Sequence, residues 1–380
     1  MRIAVNTRLL VKDKLEGIGW FTYENLKRIT RENRDVEFYF LFDRKHDPSF
    51  IFSDNITPIE LFPQARHPFL YYLWFEYSVP AALKKINPDV FLSPDGYLSL
   101  KTKTPSITIF HDLNFEHYPE DLPYWERKYY RRFFPRYAHK ARRIATVSEY
   151  SKADIGNKYN ISPDKIDVVY NGGNESFAPL KQGEIQAVRN KLTKGNPYFV
   201  FIGALHPRKN LVNLFKAFDR FCMQNNAGVK LVVVGEKKWW TASIRQAYES
   251  MQHKEEVIFT GRLSASQLHE ALASALALAY VSYFEGFGIP IVEAYRCKVP
   301  VITSKVTSMP EVAGDGALLV DPFEVEDISN ALQRMYAEEN TRNELIAKGW
   351  KIKDRFTWDK SAERLWNTIM KVINKEKNNL

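Results

Sequence analysis

Short apolar runs recur along the chain, separated by polar or amphipathic segments that are long enough for helices. Twelve of these runs are rich in β-branched residues, a pattern typical of strands that are buried on both faces. They cover residues 2–7, 37–43, 89–93, 106–111, 143–148, 166–170, 198–203, 230–235, 257–261, 275–282, 299–304 and 317–321. Strands that alternate with helices in this way predict an α/β fold with parallel sheets covered on both faces.

The twelve runs form two series, and each series predicts one doubly wound, Rossmann-like domain. No strand pattern holds over residues 177–197, which contain Pro and Gly and follow a turn at residues 171–174. We place the linker at residues 176–181, and so predict domains over 1–176 and 177–357. Open α/β sheets bind ligands outside the carboxyl ends of their strands, so the active site is expected in a cleft between the two domains.

Composition indicates a soluble, globular chain, with 45% apolar and 26% charged residues. The most apolar stretch, residues 271–284, is shorter than the roughly 20 residues of a spanning helix. The opening apolar run breaks at Asn6, which argues against a secretory signal. Only Cys222 and Cys297 are present, so a disulfide framework is excluded and a cytoplasmic location is expected.

The net charge of +9 is concentrated from Trp125 to Arg143, where eight Lys or Arg stand against Glu126 alone. Aromatic residues recur there at helical spacing, which predicts a helix with one apolar face and a cationic remainder. Two interpretations stay open: a surface helix docked by its aromatics, or a helix that binds an anionic membrane, here the inner face of the cytoplasmic membrane. Nucleic acid is not expected, because no base-reading motif accompanies the charge.

Two segments of the first series have candidate chemistry at strand ends. Gly17 and Gly19 follow the first strand and would let the backbone approach a ligand, although a simple turn explains them equally well. Thr22 replaces the last glycine of the dinucleotide fingerprint, which argues against a dehydrogenase. His111 and Asp112 end a later strand, where His111 could bond a substrate hydroxyl or have a structural role, and Asp112 could orient it.

Two segments of the second series point to an anionic ligand. Arg208 and Lys209 are predicted at the start of a helix, where the helix dipole disfavours cations unless an anion such as a diphosphate neutralises them. Glu285 lies in a predicted loop, and Glu293 lies on the helix that Pro290 opens. Both acids are predicted to point toward one cleft, beside loop glycines whose amides suit phosphate.

The run from Glu285 to Glu293, with Gly286, Gly288 and Pro290 in place, resembles the E-x7-E signature of the family 4 retaining glycosyltransferases, which have the GT-B fold. The resemblance extends over nearly the whole chain. Its other segments are residues 17–19, 111–113, 146–151, 169–172, 203–210, 259–261, 308–314, 319–322 and 356–358.

The resemblance implies a role for each matching residue. Arg208 and Lys209 would bind the donor diphosphate, and Glu293 would accept the ribose hydroxyls. Glu285 would hold the donor sugar, whose hydroxyls His111 would contact from the other domain. The remaining donor-side candidates are Gly17, Gly19, Asp112, Phe287 and Gly288, with Gly261 and Leu263 framing the base. The last helix, from Trp358 over residues 358–380, would cross back onto the first domain.

The implied activity is transfer of a sugar from a nucleotide donor to an acceptor hydroxyl with retention of configuration. Residues 203–210 most resemble those of bacterial polysaccharide mannosyltransferases, which favours GDP-mannose and a saccharide or lipid-linked acceptor in polysaccharide or lipopolysaccharide synthesis. Relatives are thought to react on one face of the sugar, so Glu285 would position the sugar and would not be a nucleophile. Where many relatives have an arginine, this chain has Ala204, so Arg208 would supply that charge.

Three alternatives remain: a UDP-sugar donor, a non-hydrolysing nucleotide-sugar epimerase of the same fold, and a non-catalytic saccharide- or membrane-binding module. The E-x7-E run disfavours the epimerase, and the full motif set disfavours the binding module. The sequence contains no Asp-x-Asp motif, so no metal and no other cofactor is expected.

Overall fold

The structure is a computed structural model that describes residues 1–225, 228–237 and 240–377. Each of the twelve predicted runs contains a strand, and one further strand, β3, is present. The strands are β1 (Arg2–Asn6), β2 (Glu37–Phe42), β3 (Ile56–Glu60), β4 (Val90–Ser93), β5 (Ser106–Phe110), β6 (Arg143–Thr146), β7 (Ile166–Val168), β8 (Tyr198–Ile202), β9 (Lys230–Val234), β10 (Val257–Gly261), β11 (Ala277–Tyr280), β12 (Val301–Ser304) and β13 (Ala317–Val320). The prediction of an α/β chain is therefore confirmed.

The strands form two parallel sheets, one in each of two compact units. The first sheet has the order β3-β2-β1-β4-β5-β6-β7, and the second has the order β10-β9-β8-β11-β12-β13. The first unit comprises Met1–Gly172 with Trp358–Leu380, and the second comprises Gly173–Thr357. The chain thus leaves the first unit just before the linker predicted at residues 176–181.

Helices cover both sheets and enclose their cores. They are α1 (Gly17–Glu32), α2 (Pro68–Leu73), α3 (Val79–Ile86), α4 (Asn114–His117), α5 (Tyr124–Lys140), α6 (Glu149–Tyr159), α7 (Gln182–Thr193), α8 (Leu211–Gln224), α9 (Ala242–Glu249), α10 (Ala265–Ala273), α11 (Ile289–Arg296), α12 (Met309–Ala313), α13 (Val325–Ala337), α14 (Glu339–Ile352) and α15 (Trp358–Lys377). The last of these, α15, packs on α1, where Arg28 and Asp359 form an ion pair of 2.5 Å. The predicted return of the final helix to the first domain is confirmed.

The strand that the sequence pattern missed, β3, lies at the edge of the first sheet and pairs with β2. Its sequence contains Pro58, which lies opposite Phe40 in the register. Proline has no N–H to donate, and edge strands tolerate it because one side of the strand needs no partner. The proline that hides this strand in the sequence is thus consistent with its place at the edge.

Gly17 and Gly19 lie in the first turn of α1 and not in a turn that precedes it. A Cβ on Gly19 would lie 3.3 Å from the carbonyl oxygen of Leu9 and 3.1 Å from the Leu15 side chain. A Cβ on Gly17 would meet nothing within 4 Å. The close approach of residues 9–15 to the helix therefore explains Gly19 but not Gly17.

The basic aromatic segment forms α5, and its aromatic side chains divide between the core and the surface. Tyr129, Phe134 and Tyr137 are buried, so this part of the helix is docked by its aromatics. Trp125 is 61% exposed and is not part of the buried face, contrary to the prediction of a single apolar face. Among the helices that the structure describes, none is both long enough and apolar enough to cross a membrane.

Candidate active site

The candidate site of the second unit lies where two neighbouring strands, β8 and β11, reach their carboxyl ends. After β8, residues Pro207–Lys209 form a 3-10 turn, and α8 begins directly afterwards at Leu211. Arg208 and Lys209 therefore lie in a 3-10 turn immediately before the helix start at which they were predicted. After β11, a loop containing Glu285 leads into α11. Parallel pairing brings these two loops to the same edge of the sheet.

Arg208, Lys209 and Glu285 form one ion cluster. An N–H of Arg208 (Nη1) donates to Glu285 Oε2 at 2.5 Å, and Lys209 Nζ donates to Glu285 Oε1 at 2.5 Å. The family resemblance gives these cations and this carboxylate to different parts of a ligand, whereas the structure pairs them with each other. Two cations against one carboxylate leave the cluster with a net positive charge, which favours an anionic ligand.

Tyr280 completes this cluster, and the sequence analysis did not single it out. Its hydroxyl accepts from Lys209 Nζ at 2.7 Å and donates to Glu285 Oε1 at 2.9 Å. The Lys209 ammonium also lies 4.8 Å from the centre of the Tyr280 ring. Tyr280 is the last residue of a buried strand, so the apolar pattern of the sequence predicts only an ordinary core residue there. Its one sequence signal is that it closes the strand just before the Glu285 loop.

The charges of the cluster hold Glu285 ionised at neutral pH. Burial alone would raise the pKa of this carboxyl, but Arg208 and Lys209 outweigh it and lower the pKa to about 2. Both carboxylate oxygens accept hydrogen bonds from a cation. Glu285 is therefore a fixed anion that orients the two cations.

Buried polar side chains fix the two loops that carry the cluster. The amide of Asn210 donates to the carbonyls of Val281 at 3.0 Å and Pro322 at 2.6 Å, and so ties the end of the first loop to the end of β11. The second loop is held by Ser308, which lies just before α12 and whose Oγ donates to the carbonyl of Glu285 at 2.9 Å. It also lies 3.1 Å from the carbonyl of Phe287. These contacts leave little freedom in the backbone on either side of the cluster.

The start of α11 needs the glycine that the sequence supplies. Gly288 has φ +108°, in the left-handed region that side chains rarely adopt, and it precedes the first residue of α11. A Cβ there would also lie 3.1 Å from Ile291 Cδ1. Phe287 beside it is buried and makes an edge contact of 5.3 Å with the Phe356 ring. Both residues shape the loop, and their amides stay predicted donors to the sugar.

Glu293 is partly buried on α11 and has a perturbed acidity. Burial raises the pKa of this carboxyl to about 7, although the backbone N–H of Asn174 and the charge of Arg296 act in the opposite direction. The carboxyl is therefore divided between its two protonation states near neutral pH. Its predicted role toward the ribose depends on the ionised form, which accepts two hydrogen bonds.

The predicted base-framing segment lies at the end of β10. Gly261 has φ +70°, and its carbonyl accepts the N–H of Gly235 at 3.0 Å. Leu263 lies between β10 and α10 and is only partly buried. Contact of this segment with a base stays a prediction.

In the first unit, the structure defines which nitrogen of His111 is available to a substrate. Nε2 lies 2.9 Å from the carbonyl of Pro94 and therefore donates to it. Burial lowers the pKa of His111, which leaves the ring neutral at neutral pH and Nδ1 as an acceptor. The ring makes an edge contact of 5.0 Å with Phe21 on α1, which fixes its plane.

Asp112 has a local partner, since its Oδ1 accepts the backbone N–H of Asn114 at 3.0 Å. This bond stabilises the turn that leads into α4. The donor-binding roles of Asp112, Gly17 and Gly19 stay predictions. Within the described residues, no group of three His, Cys, Asp or Glu side chains is arranged to hold a metal ion.

Two family models match the chain, one in each half. The model of Glycosyltransferase Family 4 matches residues 15–177, and that of Glycosyl transferases group 1 matches residues 184–351. The chain belongs to glycosyltransferase family 4. The family that the E-x7-E run and its companion segments predicted is thus confirmed.

Curated relatives of this glycosyltransferase include enzymes of O-antigen synthesis. O-antigen chain mannosyltransferase B of Escherichia coli is 28% identical over 94% of this chain and 96% of its own length. O-antigen chain mannosyltransferase RfbU of Salmonella typhimurium is also 28% identical, over 69% of this chain and 70% of its own. The first match extends over nearly the full length of both proteins.

Solved structures of glycosyltransferases share the fold. Sucrose-phosphate synthase of Thermosynechococcus elongatus matches with a TM-score of 0.77 and 17% identity, over 98% of this chain and 99% of its own. A glycosyltransferase of Rickettsia africae matches with a TM-score of 0.73 and 16% identity, over 98% of each chain. The predicted GT-B fold, with two Rossmann-like domains, is confirmed.

Proposed function

We propose that this glycosyltransferase transfers mannose from GDP-mannose to a hydroxyl of a saccharide or lipid-linked saccharide, with retention of configuration and without a metal ion. The product would belong to a cell-surface polysaccharide or lipopolysaccharide. The observation that carries the proposal is the cluster of Arg208, Lys209, Tyr280 and Glu285 at the carboxyl edge of the second sheet. The names of the curated relatives support the choice of mannose.

The cluster suits the departure of a nucleoside diphosphate. As the bond to the sugar breaks, negative charge accumulates on the leaving phosphate, and fixed cations beside it stabilise the transition state more than the ground state. Arg208 and Lys209 would provide these cations, because their N–H groups outnumber the bonds that Glu285 can accept. Glu285 would keep both cations in place before the donor binds.

The geometry of Glu285 supports a positioning role in a retaining mechanism. A carboxylate nucleophile needs an accessible oxygen lone pair, but each oxygen of Glu285 is held by a cation at 2.5 Å. A pKa of about 2 also makes the carboxylate weakly basic. In the proposed reaction the acceptor hydroxyl attacks the face from which the diphosphate leaves, and the phosphate takes the proton.

The other predicted residues would bind parts of the donor. Neutral His111 would accept a hydrogen bond from a sugar hydroxyl through Nδ1, since Nε2 donates to Pro94. Ionised Glu293 would accept both ribose hydroxyls. The absence of an Asp-x-Asp motif from the sequence supports turnover without a metal ion.

The donor is tested by calorimetric titration with GDP, UDP and ADP in the presence of a chelator, followed by turnover of the matching nucleotide sugar. We expect GDP to bind most tightly and GDP-mannose to be consumed only when an acceptor saccharide is present. Preferred binding of UDP would contradict the GDP-mannose assignment in favour of a UDP-sugar donor. Release of an epimerised donor without any acceptor would instead identify an epimerase.

The stereochemistry is tested on the isolated product. The one-bond C–H coupling of the new anomeric carbon distinguishes the two anomers, and we expect the anomer of the donor. An inverted anomer would refute the same-face mechanism even if the donor were GDP-mannose. Loss of turnover in chelator, restored by a divalent ion, would refute metal independence.

We also propose that α5 attaches the enzyme to an anionic membrane surface. Tyr124 is 56% exposed and Trp125 is 61% exposed, and the helix also presents Arg131, Arg132 and Arg136 to solvent. Exposed aromatics beside arginines suit the boundary between headgroups and acyl chains. Replacing the three arginines with Glu should abolish co-sedimentation with anionic vesicles, and replacing them with Lys should preserve it. Unchanged sedimentation of the Glu variant would refute the proposal.

A further inference from the structure

Besides the Arg208 and Lys209 cluster of the second unit, the chain has a basic site in its first unit. This site lies at the edge of the first sheet that is opposite to His111. A cavity of about 500 Å³ lies where β5, β6 and β7 begin, between the end of α5 and the end of α15. Its lining is basic, and we call it the amino-edge cavity. The charged residues that line it are Lys103, Lys140, Arg142, Arg143, Lys165, Lys371, Lys375 and Glu376. Doubly wound domains bind substrates at the carboxyl ends of their strands, so this is not the sugar site.

Part of this positive charge is compensated within the protein. Arg143 makes a two-pronged contact with Asp167, at 2.6 and 2.8 Å, and Lys371 Nζ donates to the same carboxylate at 2.7 Å. Arg142 pairs with Glu376 at 2.9 Å. These bonds fix the inner wall of the cavity and engage the carboxylates of Asp167 and Glu376.

Four cations of the lining are not compensated in this way. Within the described part of the chain, Lys103, Lys140, Lys165 and Lys375 form no ion pair with a carboxylate, although Lys140 also interacts at longer range with the buried Glu76. The ends of α5 and α15 contribute only about half a negative charge each through their helix dipoles. Two helix ends therefore leave most of the surplus unbalanced.

The environment of Lys165 shows that the uncompensated positive charge of the cavity is unfavourable. It is half-buried, and its ammonium donates to the carbonyl of His139 at 2.8 Å. Burial, followed by the nearby Arg142 guanidinium, lowers the pKa of Lys165. A bound anion would remove this repulsion, because it would interact favourably with several cations at once.

We infer that the amino-edge cavity binds a ligand with more than one phosphate group. A volume of about 500 Å³ falls in the range of small-molecule sites, about 300–1,000 Å³, and exceeds what a single phosphate fills. Arginine offers a planar fork to phosphate, and lysine offers a point charge that adapts to several geometries. The ligand can be a soluble polyphosphate or a lipid headgroup with two phosphates, and the experiment below separates the two sources.

The first measurement is hydrogen exchange of the full-length protein with and without inorganic diphosphate. Diphosphate also suits Arg208 and Lys209, so the readout must be local. We expect slower exchange in residues 103–106, 139–143 and 371–376, and this protection should disappear as salt is added. No protection in these segments, with either diphosphate or vesicles, would overturn the inference.

The matched variants leave unchanged the three cations that are paired with carboxylates, Arg142, Arg143 and Lys371. Lys140→Gln with Lys375→Gln removes two uncompensated cations, while Lys84→Gln with Lys85→Gln removes the same charge from the exposed end of α3, which does not line the cavity. We expect the first variant to weaken the local binding by about tenfold or more and the second by less than about twofold. Lys140→Arg with Lys375→Arg should retain binding, which controls for misfolding. Equal losses in the two Gln variants would overturn the inference.

The second arm identifies the source of the phosphates. The same proteins are mixed with phosphatidylcholine vesicles with or without cardiolipin, whose headgroup has two phosphates. Protection by diphosphate that the Lys140 and Lys375 variant loses supports a soluble ligand. Protection only by cardiolipin vesicles, lost in the same variant, supports a lipid headgroup.

Discussion

The raised pKa of Glu293 predicts a pH dependence of stability that a single substitution should remove. The carboxyl has an ordinary pKa of 4.5 and a pKa of about 7 in the folded protein, where burial disfavours its charge. Between these two values the folded chain retains a proton that the unfolded chain releases, so stability falls as the pH rises through this window. Above pH of about 7 the loss is complete.

The size of the effect follows from the two pKa values. At about 1.4 kcal/mol for each pKa unit, the step from 4.5 to about 7 costs the folded state about 3 kcal/mol. Glu293→Gln has nearly the same shape as the protonated acid and cannot ionise. We therefore expect the variant to match the wild type below pH of about 4.5 and to be more stable by up to about 3 kcal/mol above pH of about 7.

The assay is urea unfolding of both proteins across this pH range, with Glu249→Gln as a control that removes an exposed carboxylate from the same unit. The control should show no such pH-dependent gain. A difference between wild type and Glu293→Gln that is constant with pH would refute the reasoning, because it would show that folding does not raise the pKa of Glu293.

The same substitution tests the function of Glu293 separately from its acidity. Ionised Glu293 accepts two ribose hydroxyls in the proposed complex, so nucleotide affinity of the wild type should rise as the pH increases through about 7. Glu293→Gln should bind nucleotide about tenfold more weakly at the upper end and show no such rise. A variant that gains stability but keeps full nucleotide affinity would place Glu293 outside the binding site.

Three further predictions concern the cluster and the loop beside it. Tyr280→Phe removes a hydroxyl that bonds both Lys209 and Glu285, so kcat should fall about tenfold with little change in KM. As a control, Tyr198→Phe loses a buried hydrogen bond to a backbone carbonyl and should lower stability alone. Similar kcat values in the two variants would refute the positioning role of Tyr280. Glu285→Gln should leave Lys209 less well compensated and lower kcat by more than Tyr280→Phe does, with thermal unfolding as the control for folding. Gly288→Ala should destabilise the protein by about 1–3 kcal/mol in thermal unfolding, because φ +108° strains any side chain, and an unchanged stability would contradict that reason.

The strands and the family could be predicted from sequence because both leave local signals. Buried parallel strands are continuous apolar runs, and the E-x7-E signature lies within one loop and one helix. The sequence analysis missed β3 because Pro58 interrupts its apolar run, and an edge strand tolerates such a proline. Trp125 was grouped with the buried aromatics of α5 but is 61% exposed, because helical spacing alone does not show which positions of a surface helix another element covers.

The ion cluster could not be predicted, because it depends on directions of side chains from distant parts of the chain. Lys209 and Glu285 are separated by 76 residues, and only the pairing of β8 with β11 brings their loops together. Sequence reasoning placed all three charges at one edge of the sheet, but gave each a ligand and not a protein partner. Tyr280 lacked a signal for the same reason, since its hydroxyl matters only once both partners are in place.

The two basic sites of this chain differ in how their cations are held, and the difference should govern what each recognises. Arg208 Nη1 and Lys209 Nζ each lie 2.5 Å from one oxygen of the buried Glu285 carboxylate, so the positions of both cations are set before a ligand binds. Such preorganisation favours one geometry of diphosphate and contributes to the transition state. Lys140 and Lys375 are exposed side chains that form no close ion pair with a carboxylate among the described residues, so they supply charge without fixed geometry. Binding at the amino-edge cavity should therefore depend strongly on salt and weakly on the shape of the anion, whereas donor binding should show the opposite order.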